Sequence, residues 1–180
     1  MSDNRLPSNT FNDGLAIELP EFMSMPAIRL DLSNIVEADR RETKLMVKNV
    51  NPSTYSHLEY VYNEAYRDLK KHVATVGYQI LRADSELEKA KATALLEKFP
   101  VFLDGKPKNM NNAAVRDAFV AQDESVRAIK DRLDSLKMIE IFLDGRIKVM
   151  ENVCRFMRKQ MDMYIRAGAG LSPDIFNSQK

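Results

Sequence analysis

The sequence contains no tryptophan and a single cysteine in 180 residues. Cys154 alone can form neither an internal disulfide nor a cysteine-based zinc site, which points to a reducing compartment and a cytoplasmic location. Glycine and proline are scarce, 6 and 7. Sheet-rich folds need both at many tight turns, so the scarcity favours helix. No apolar run approaches the roughly 18–20 residues that span a bilayer, and no membrane partner is expected. The opening residues, Met1 to Pro7, lack the apolar stretch of a secretory signal. No charge of one sign dominates. Lys+Arg 27 against Asp+Glu 26 gives a formal net charge of +1, which excludes a strongly basic nucleic-acid binder as a description of the whole chain but not a local basic face.

Chemistry-bearing motifs are equally sparse. There is no Walker phosphate loop and no Gly-x-Gly-x-x-Gly. Gly105 and Lys106 follow Leu103 and Asp104 without the preceding glycine of a phosphate loop, so they read as a turn. His57 and His72 are the two histidines, and neither has a carboxylate or cysteine at metal-ligand spacing; Glu59 faces another side of the helix from His57. The many carboxylates read as salt-bridge partners and solvated faces of long helices rather than an acid–base pair. Cys154 falls on an apolar seam, where a small hydrophobe is expected and a reactive thiolate is not. No catalytic residue, metal or cofactor is expected, and the chain reads as non-enzymatic.

What the sequence does contain is apolar periodicity. Apolar residues make up 44% and charged residues 29%, a globular balance that supports one domain with a sizeable core. Ten methionines supply flexible core filling. Residues 1–27, with Pro7, Pro20 and Pro26, show no sustained period and read as a flexible N-terminal arm. Leu15 to Met23 within it forms a short apolar and acidic patch, either lying on its own body or a neighbouring subunit, or docking a partner. Residues 28–50 read as a small connector. Ile28, Leu30 and Leu32 alternate with Arg29 and Asp31 like a strand, Ser33 to Arg41 allows two helical turns, and Leu45 to Val50 reads as a second extended piece.

A long helical hairpin is expected over 51–167. Asn51 is a good N-cap and Pro52 suits the first helical position. The stripe Tyr55, Leu58, Tyr62, Ala65, Leu69, Val73, Val76, Ile80, Ala83, Leu87, Ala90, Ala94 steps mostly by three and four, with two successive fours from Ala65 to Val73. Pro100 should end this helix. A polar loop follows to Asn112. The second helix carries the series Val115, Phe119, Gln122, Val126, Ile129, Leu133, Leu136, Glu140, Leu143, Ile147, Met150, Cys154, Met157, Met161, Tyr164. Its steps alternate strictly between four and three, and all but Gln122 and Glu140 are apolar. Such a sustained 3.5-residue repeat means left-handed supercoiling against a partner helix. At 1.5 Å per residue the helix extends roughly 75 Å, too long for one compact core. Gly168 and Gly170 then end it, leaving 168–180 as a tail.

The resulting expectation is an all-α fold: a long antiparallel coiled-coil hairpin with a small N-terminal extension, oligomeric in its working form. Met138, Ile139, Ile141 and Phe142 lie off the seam and would leave apolar surface bare on a lone hairpin, so they are assigned to a subunit interface. Gln122 and Glu140 either fix register or mark solvated gaps.

Charge is polarised along the second helix. Arg146, Lys148, Arg155, Arg158, Lys159 and Arg166 oppose only Glu151 and Asp162 in its last part, more than the helix dipole explains, since that acts over one turn. On the first helix tyrosines interleave with Arg67, Lys70 and Lys71, and Lys89, Lys91 and Lys98 follow. Rings that stack on bases beside cations that neutralise phosphates are what single-stranded nucleic acid requires. Tyr55 and Tyr62 lie on the seam and read as core. Tyr60 and Tyr66 lie off it and read as stacking or interface residues. The expected DNA contacts are Lys89, Lys91, Lys98, Arg155, Arg158, Lys159, Tyr60 and Tyr66. Repetition of a modest patch around an oligomer would supply avidity.

Over residues 50–165 this organisation resembles the UvsY family of phage recombination mediators. The likeness runs from Ser53 and Thr54 through Tyr62 to Ala65, the Lys- and Ala-rich stretch Glu86 to Ala92, and a second helix opening at Ala121 to Val126 and passing Leu136 to Arg146. The resemblance implies a ring-forming helical homo-oligomer in the host cytoplasm. It would bind single-stranded DNA and load a strand-exchange recombinase in place of single-stranded-DNA-binding protein. The family's Lys/Arg pair near the end of the first long helix corresponds in region to Lys89, Lys91 and Lys98, although its Lys-x-Arg spacing is absent and the arm 1–27 is longer than the family's. The residues themselves also fit another class, a helical structural or scaffolding protein that binds only protein partners.

Overall fold

The computed structural model describes residues 16–45 and 51–169. These are mostly helical, with one two-stranded sheet. They divide into two compact units: one takes the described parts of 1–22, 26–72 and 143–180, the other 23–25 and 73–142. Two long helices, α2 (Pro52–Thr93) and α5 (Glu124–Ala169), contribute to both.

In the first unit, β1 (Ala16–Leu19) pairs antiparallel with β2 (Ile28–Asp31), Ile17 opposite Leu30 and Glu18 opposite Arg29. The period of two sends Ile17 and Leu30 into the core, while Glu18 and Arg29 form an exposed ion pair of 3.3 Å. Part of the arm expected over 1–27 is a strand instead: Ala16–Leu19 pairs with β2, which begins nine residues after Leu19, and residues 1–15 lie outside the described residues. The strand expected at Ile28 to Leu32 is present as β2. Asp31 ends it and caps α1 (Ser33–Leu45), accepting from the Ser33 amide at 2.8 Å and hydroxyl at 2.5 Å. These bonds hold the Asp31 carboxyl below its usual range. The helix is longer than the two turns expected, and the extended piece expected at 45–50 lies, beyond Leu45, outside the described residues.

Helix α2 begins as its sequence requires, with Asn51 accepting from the Thr54 amide at 3.1 Å. Within this unit α1 is tied to its neighbours by polar bonds. The Tyr62 hydroxyl donates to the Ala38 carbonyl at 2.9 Å in a buried setting, Asn34 donates to Asp68 at 2.7 Å, and Arg146 pairs with Asp39. His72 Nε2 sits 2.6 Å from the Asp31 carbonyl, so that nitrogen carries the proton and donates. The early part of α2 runs antiparallel to the late part of α5, since Tyr66 bonds Glu151 and the earlier Tyr55 lies beside the later Arg158. Tyr62, Ala65 and Leu69 together with Leu143, Ile147, Met150, Val153 and Met157 are buried there.

In the second unit the same two helices are again antiparallel. A Cβ at Gly77 would lie 3.7 Å from Glu140 Oε1, and Lys98 meets Asp123 at 2.5 Å. Val76, Ala83, Leu87 and Ala94 and, from α5, Val126, Ile129, Leu133 and Leu136 form its core. Gln79, 3% exposed, is buried among them, and its carbonyl oxygen has no hydrogen-bond partner among the described residues.

Two expectations are corrected in this unit. Pro100 does not end the helical path. After Thr93 a π turn (Ala94–Lys98) intervenes, and α3 (Phe99–Leu103) restarts with Pro100 in its first turn, where a missing N–H costs nothing. The polar loop begins at Asp104, with Gly105 at φ +70°, a conformation glycine adopts without a Cβ clash. The second helix is not continuous from Val115 either. Asn112 caps α4 (Ala113–Gln122) by accepting from the Val115 amide at 3.0 Å. Asp123 then leaves helical geometry at ψ 127° and caps α5. Gln122 is consequently exposed rather than on a seam. Phe99, Phe102 and Phe119 cluster at this end with ring centroids 5.0–5.9 Å apart. From Val126 onward the expected spacing matches burial through Met157 with two exceptions: Glu140 and Cys154 are half-buried, and Val153 joins the core from beside the series. Helix α5 runs through Gly168, which does not end it. Residues 170–180 lie outside the described residues.

Candidate nucleic-acid interface

The residues expected to bind DNA fall into separate units. Lys89, Lys91 and Lys98 belong to the second; Tyr60, Tyr66, Arg155, Arg158 and Lys159 belong to the first.

In the second unit each of the three lysines has an acidic partner. Lys89 bonds Glu86 at 3.0 Å and Lys91 bonds Glu88 at 2.8 Å, both one turn back on α2. The Lys89 bond, followed by one from Ser24, lowers the Glu86 carboxyl. Lys98 reaches Asp123 at 2.5 Å. Asp123 also accepts from the Ser125 amide at 3.0 Å and the Val126 amide at 3.3 Å, so it caps α5 while binding Lys98. Lys98 and the cap together depress the Asp123 carboxyl from 3.8 to about 2. Lys98 is thus a structural cation of this end of the unit, and Lys89 and Lys91 present neutral pairs to solvent.

The first unit is different. Lys148, Arg155, Lys159 and Arg166 on α5 are exposed, and none has an ion-pair partner among the described residues. Their spacings of seven, four and seven place them on one stripe of the helix. Arg155 and Lys159 were anticipated as DNA contacts from the sequence; Lys148 and Arg166 were counted there as charges but not as contacts, and the 7-4-7 spacing was the available signal. Arg146, counted with them, is bound to Asp39 instead. Arg158 points toward the Tyr55 hydroxyl, which donates to Glu59 at 3.2 Å. Burial and then Glu59 push the Tyr55 hydroxyl pKa up. Cys154 lies in the same neighbourhood, its thiol pushed up by burial first and by Glu59 and Glu151 against the pull of Arg158. A raised thiol disfavours the nucleophilic thiolate.

The tyrosines also separate. Tyr60 is 64% exposed and offers a free ring. Tyr66 is half-buried: its hydroxyl donates to Glu151 at 3.2 Å and Lys70 covers its ring at 5.3 Å. Tyr66 is a link between helices more than a platform for a base. The off-seam residues assigned to an interface stand out from α5 of the second unit, with Met138, Ile141 and Phe142 exposed and Ile139 half-buried.

Among the described residues no group of His, Cys, Asp or Glu is arranged to hold a metal ion, and no helix is long and apolar enough to cross a membrane. No protein-family model, curated protein or solved structure matches this chain.

Proposed function

We propose that this chain is a non-enzymatic recombination mediator of the UvsY type. In this reading it works as a coiled-coil hairpin that assembles into a ring and binds single-stranded DNA. It then assists a strand-exchange recombinase in replacing single-stranded-DNA-binding protein. The observation that carries the reading is the stripe Lys148, Arg155, Lys159 and Arg166, four exposed cations with no ion-pair partner among the described residues, on a chain of net charge +1. A line of cations along one helix, here with Glu151 and Asp162 within a turn of it, follows a phosphate backbone, and repetition around an assembly multiplies a weak contact into a tight one. Tyr60, exposed on the same unit, supplies a ring for base stacking. Lys89, Lys91 and Lys98 have a smaller part here, because their charges are already matched.

The exposed side chains of Met138, Ile141 and Phe142 favour assembly under either of two readings. The second is a scaffolding protein that uses apolar surface alone and binds only protein. Binding of a fluorescent single-stranded oligonucleotide across a salt titration separates the two. The mediator reading expects affinity that falls steeply with salt, and a shallower slope when Arg155, Arg158 and Lys159 are reversed to Glu together. An assembled protein that ignores the oligonucleotide at low salt leaves the scaffold.

A further inference from the structure

We infer that the cation stripe of α5 has a base-stacking edge, Phe156 and Met163, and that this edge makes the stripe select single strands over duplex. This rests on the DNA-binding part of the proposed function and adds how a strand is oriented and discriminated. The residues concerned all lie on α5 in the first unit. Successive residues turn about 100° around a helix, so Arg155, Lys148 and Arg166 stand within about 40° of Lys159, all on one side of it. Beyond them on that side, at about 60° and 80° from Lys159, come Asp162 and Glu151. The Tyr66 hydroxyl fixes Glu151 there at 3.2 Å. On the other side, at about 40° and 60°, stand Met163 and Phe156. Both are bare, Phe156 47% exposed and Met163 55%. The core contacts of this stretch are made by other residues, Met150, Val153 and Met157.

The stripe thus has two unlike edges, one acidic and one of carbon. A nucleic-acid strand is equally one-sided, with phosphates along one margin and bases along the other. Phosphates seated on the cations are repelled from Asp162 and Glu151. The bases then fall on the opposite edge. There the Phe156 ring offers a stacking face and the Met163 thioether a polarisable contact. In a duplex the bases stack on each other and are closed to that ring. Cations alone would prefer the duplex, whose charge density is higher. A carbon edge reverses that preference. An interfacial membrane helix fits the surface less well, because such a helix needs a broad apolar face, and the broad apolar face of α5 is buried in the unit.

The test exploits the absence of tryptophan from the chain. In full-length Phe156→Trp the one indole reports on the edge itself. An oligothymidylate should quench its fluorescence, and an abasic oligonucleotide of the same length should quench it far less. Phe156→Leu keeps an apolar side chain and removes the ring. It should bind oligothymidylate about 5- to 150-fold more weakly, the range that one stacked base supplies. Its salt slope, its affinity for the abasic strand and its circular dichroism should match wild type, and its preference should pass from single strand to duplex. If Phe156→Leu unfolds, the quenching of Phe156→Trp decides alone. Equal losses on both oligonucleotides overturn the inference, since they mark Phe156 as structural. So does an indole that responds alike to both, or one that shifts to the blue only with phosphatidylserine vesicles. A wild type that binds neither oligonucleotide at low salt removes the DNA-binding reading together with this one. A wild type that binds both equally removes this inference alone.

Discussion

Replacing Asp123 should damage the second unit in two separable ways. Its carboxylate caps α5 through the Ser125 and Val126 amides at 3.0 and 3.3 Å, and binds Lys98 at 2.5 Å with only 6% of its side chain exposed. Losing an N-cap costs about 1 kcal/mol. The charge contribution, from Lys98 first and then from the bonds to Ser125 and Val126, follows from the carboxyl being held at about 2 instead of 3.8. A difference of that size corresponds to about 2 kcal/mol. The Lys98 end is 47% exposed, and solvent screening there reduces the effect to about 1–2 kcal/mol. Asp123→Asn keeps a good cap and discards the charge, so it should cost about 1–2 kcal/mol at pH 7. Asp123→Ala discards both and should cost about 2–3 kcal/mol.

The pH dependence separates the charge from the cap. The folded pKa lies below the unfolded one, so the stabilisation is fully present above 3.8 and is lost as pH falls through that value toward 2. Wild type and Asp123→Asn should therefore differ at pH 7 and converge near pH 2. The assay is urea denaturation followed by circular dichroism at fixed protein concentration, since the proposed assembly would make stability concentration-dependent. Hydrogen exchange at the first turn of α5 gives the local readout. A cycle with Lys98→Met should show coupling of about 1 kcal/mol. Equal stability of wild type and Asp123→Asn at pH 7, with no change in their difference on acidification, would refute the assignment of Lys98 as a structural partner.

Further outcomes are expected elsewhere. Tyr62→Phe removes the buried bond to the Ala38 carbonyl, 2.9 Å, and should lower the denaturation midpoint by an amount equivalent to about 1–2 kcal/mol. Gln79→Leu removes a buried amide whose oxygen has no partner among the described residues and should raise stability by about 1 kcal/mol, read by the same denaturation. Tyr60→Ala should weaken oligonucleotide binding by about 1–3 kcal/mol without changing its salt slope, whereas Tyr66→Ala should act first on stability. Lys89→Gln and Lys91→Gln should each leave the salt slope closer to wild type than Arg155→Gln or Lys159→Gln, because Glu86 and Glu88 already neutralise those lysines.

The seam of α5 was legible because burial on a helix repeats. Ile129, Leu133, Leu136, Leu143, Ile147 and Met150 were assigned from spacing, and all are buried. The same regularity hid the break at Asp123. Val115, Phe119, Gln122 and Val126 keep the four–three alternation across it, so apolar spacing alone reads one helix where there are two. The signal lay in polar residues: an Asp followed by Glu124 in a first turn is how a helix starts. The strand β1 was missed for a related reason. Four residues are too few to establish a period, and their assignment depends on β2, which follows nine residues later.

The candidate site was half legible, and charge pairing explains which half. A near-zero net charge conceals the arrangement of 27 cations and 26 anions. Pairs one turn apart, such as Lys89 with Glu86, are visible in the sequence as Glu-x-x-Lys, and that spacing already argues against free lysines. Pairs made by tertiary structure are not: Arg146 with Asp39 and Lys98 with Asp123 are separated by 107 and 25 residues. Each such pair removes one charge of each sign and leaves the net charge unchanged. What remains after pairing therefore need not be neutral locally, and along α5 of the first unit it is the stripe from Lys148 to Arg166. If that stripe meets phosphate, reversing Arg155 and Lys159 together should weaken binding by about the sum of the two single effects and make the salt slope shallower, since the two charges add in the field that the phosphate meets. A double reversal that leaves affinity and salt slope at their wild-type values would mean that the stripe does not meet DNA, and that the charges left over after pairing serve solubility alone.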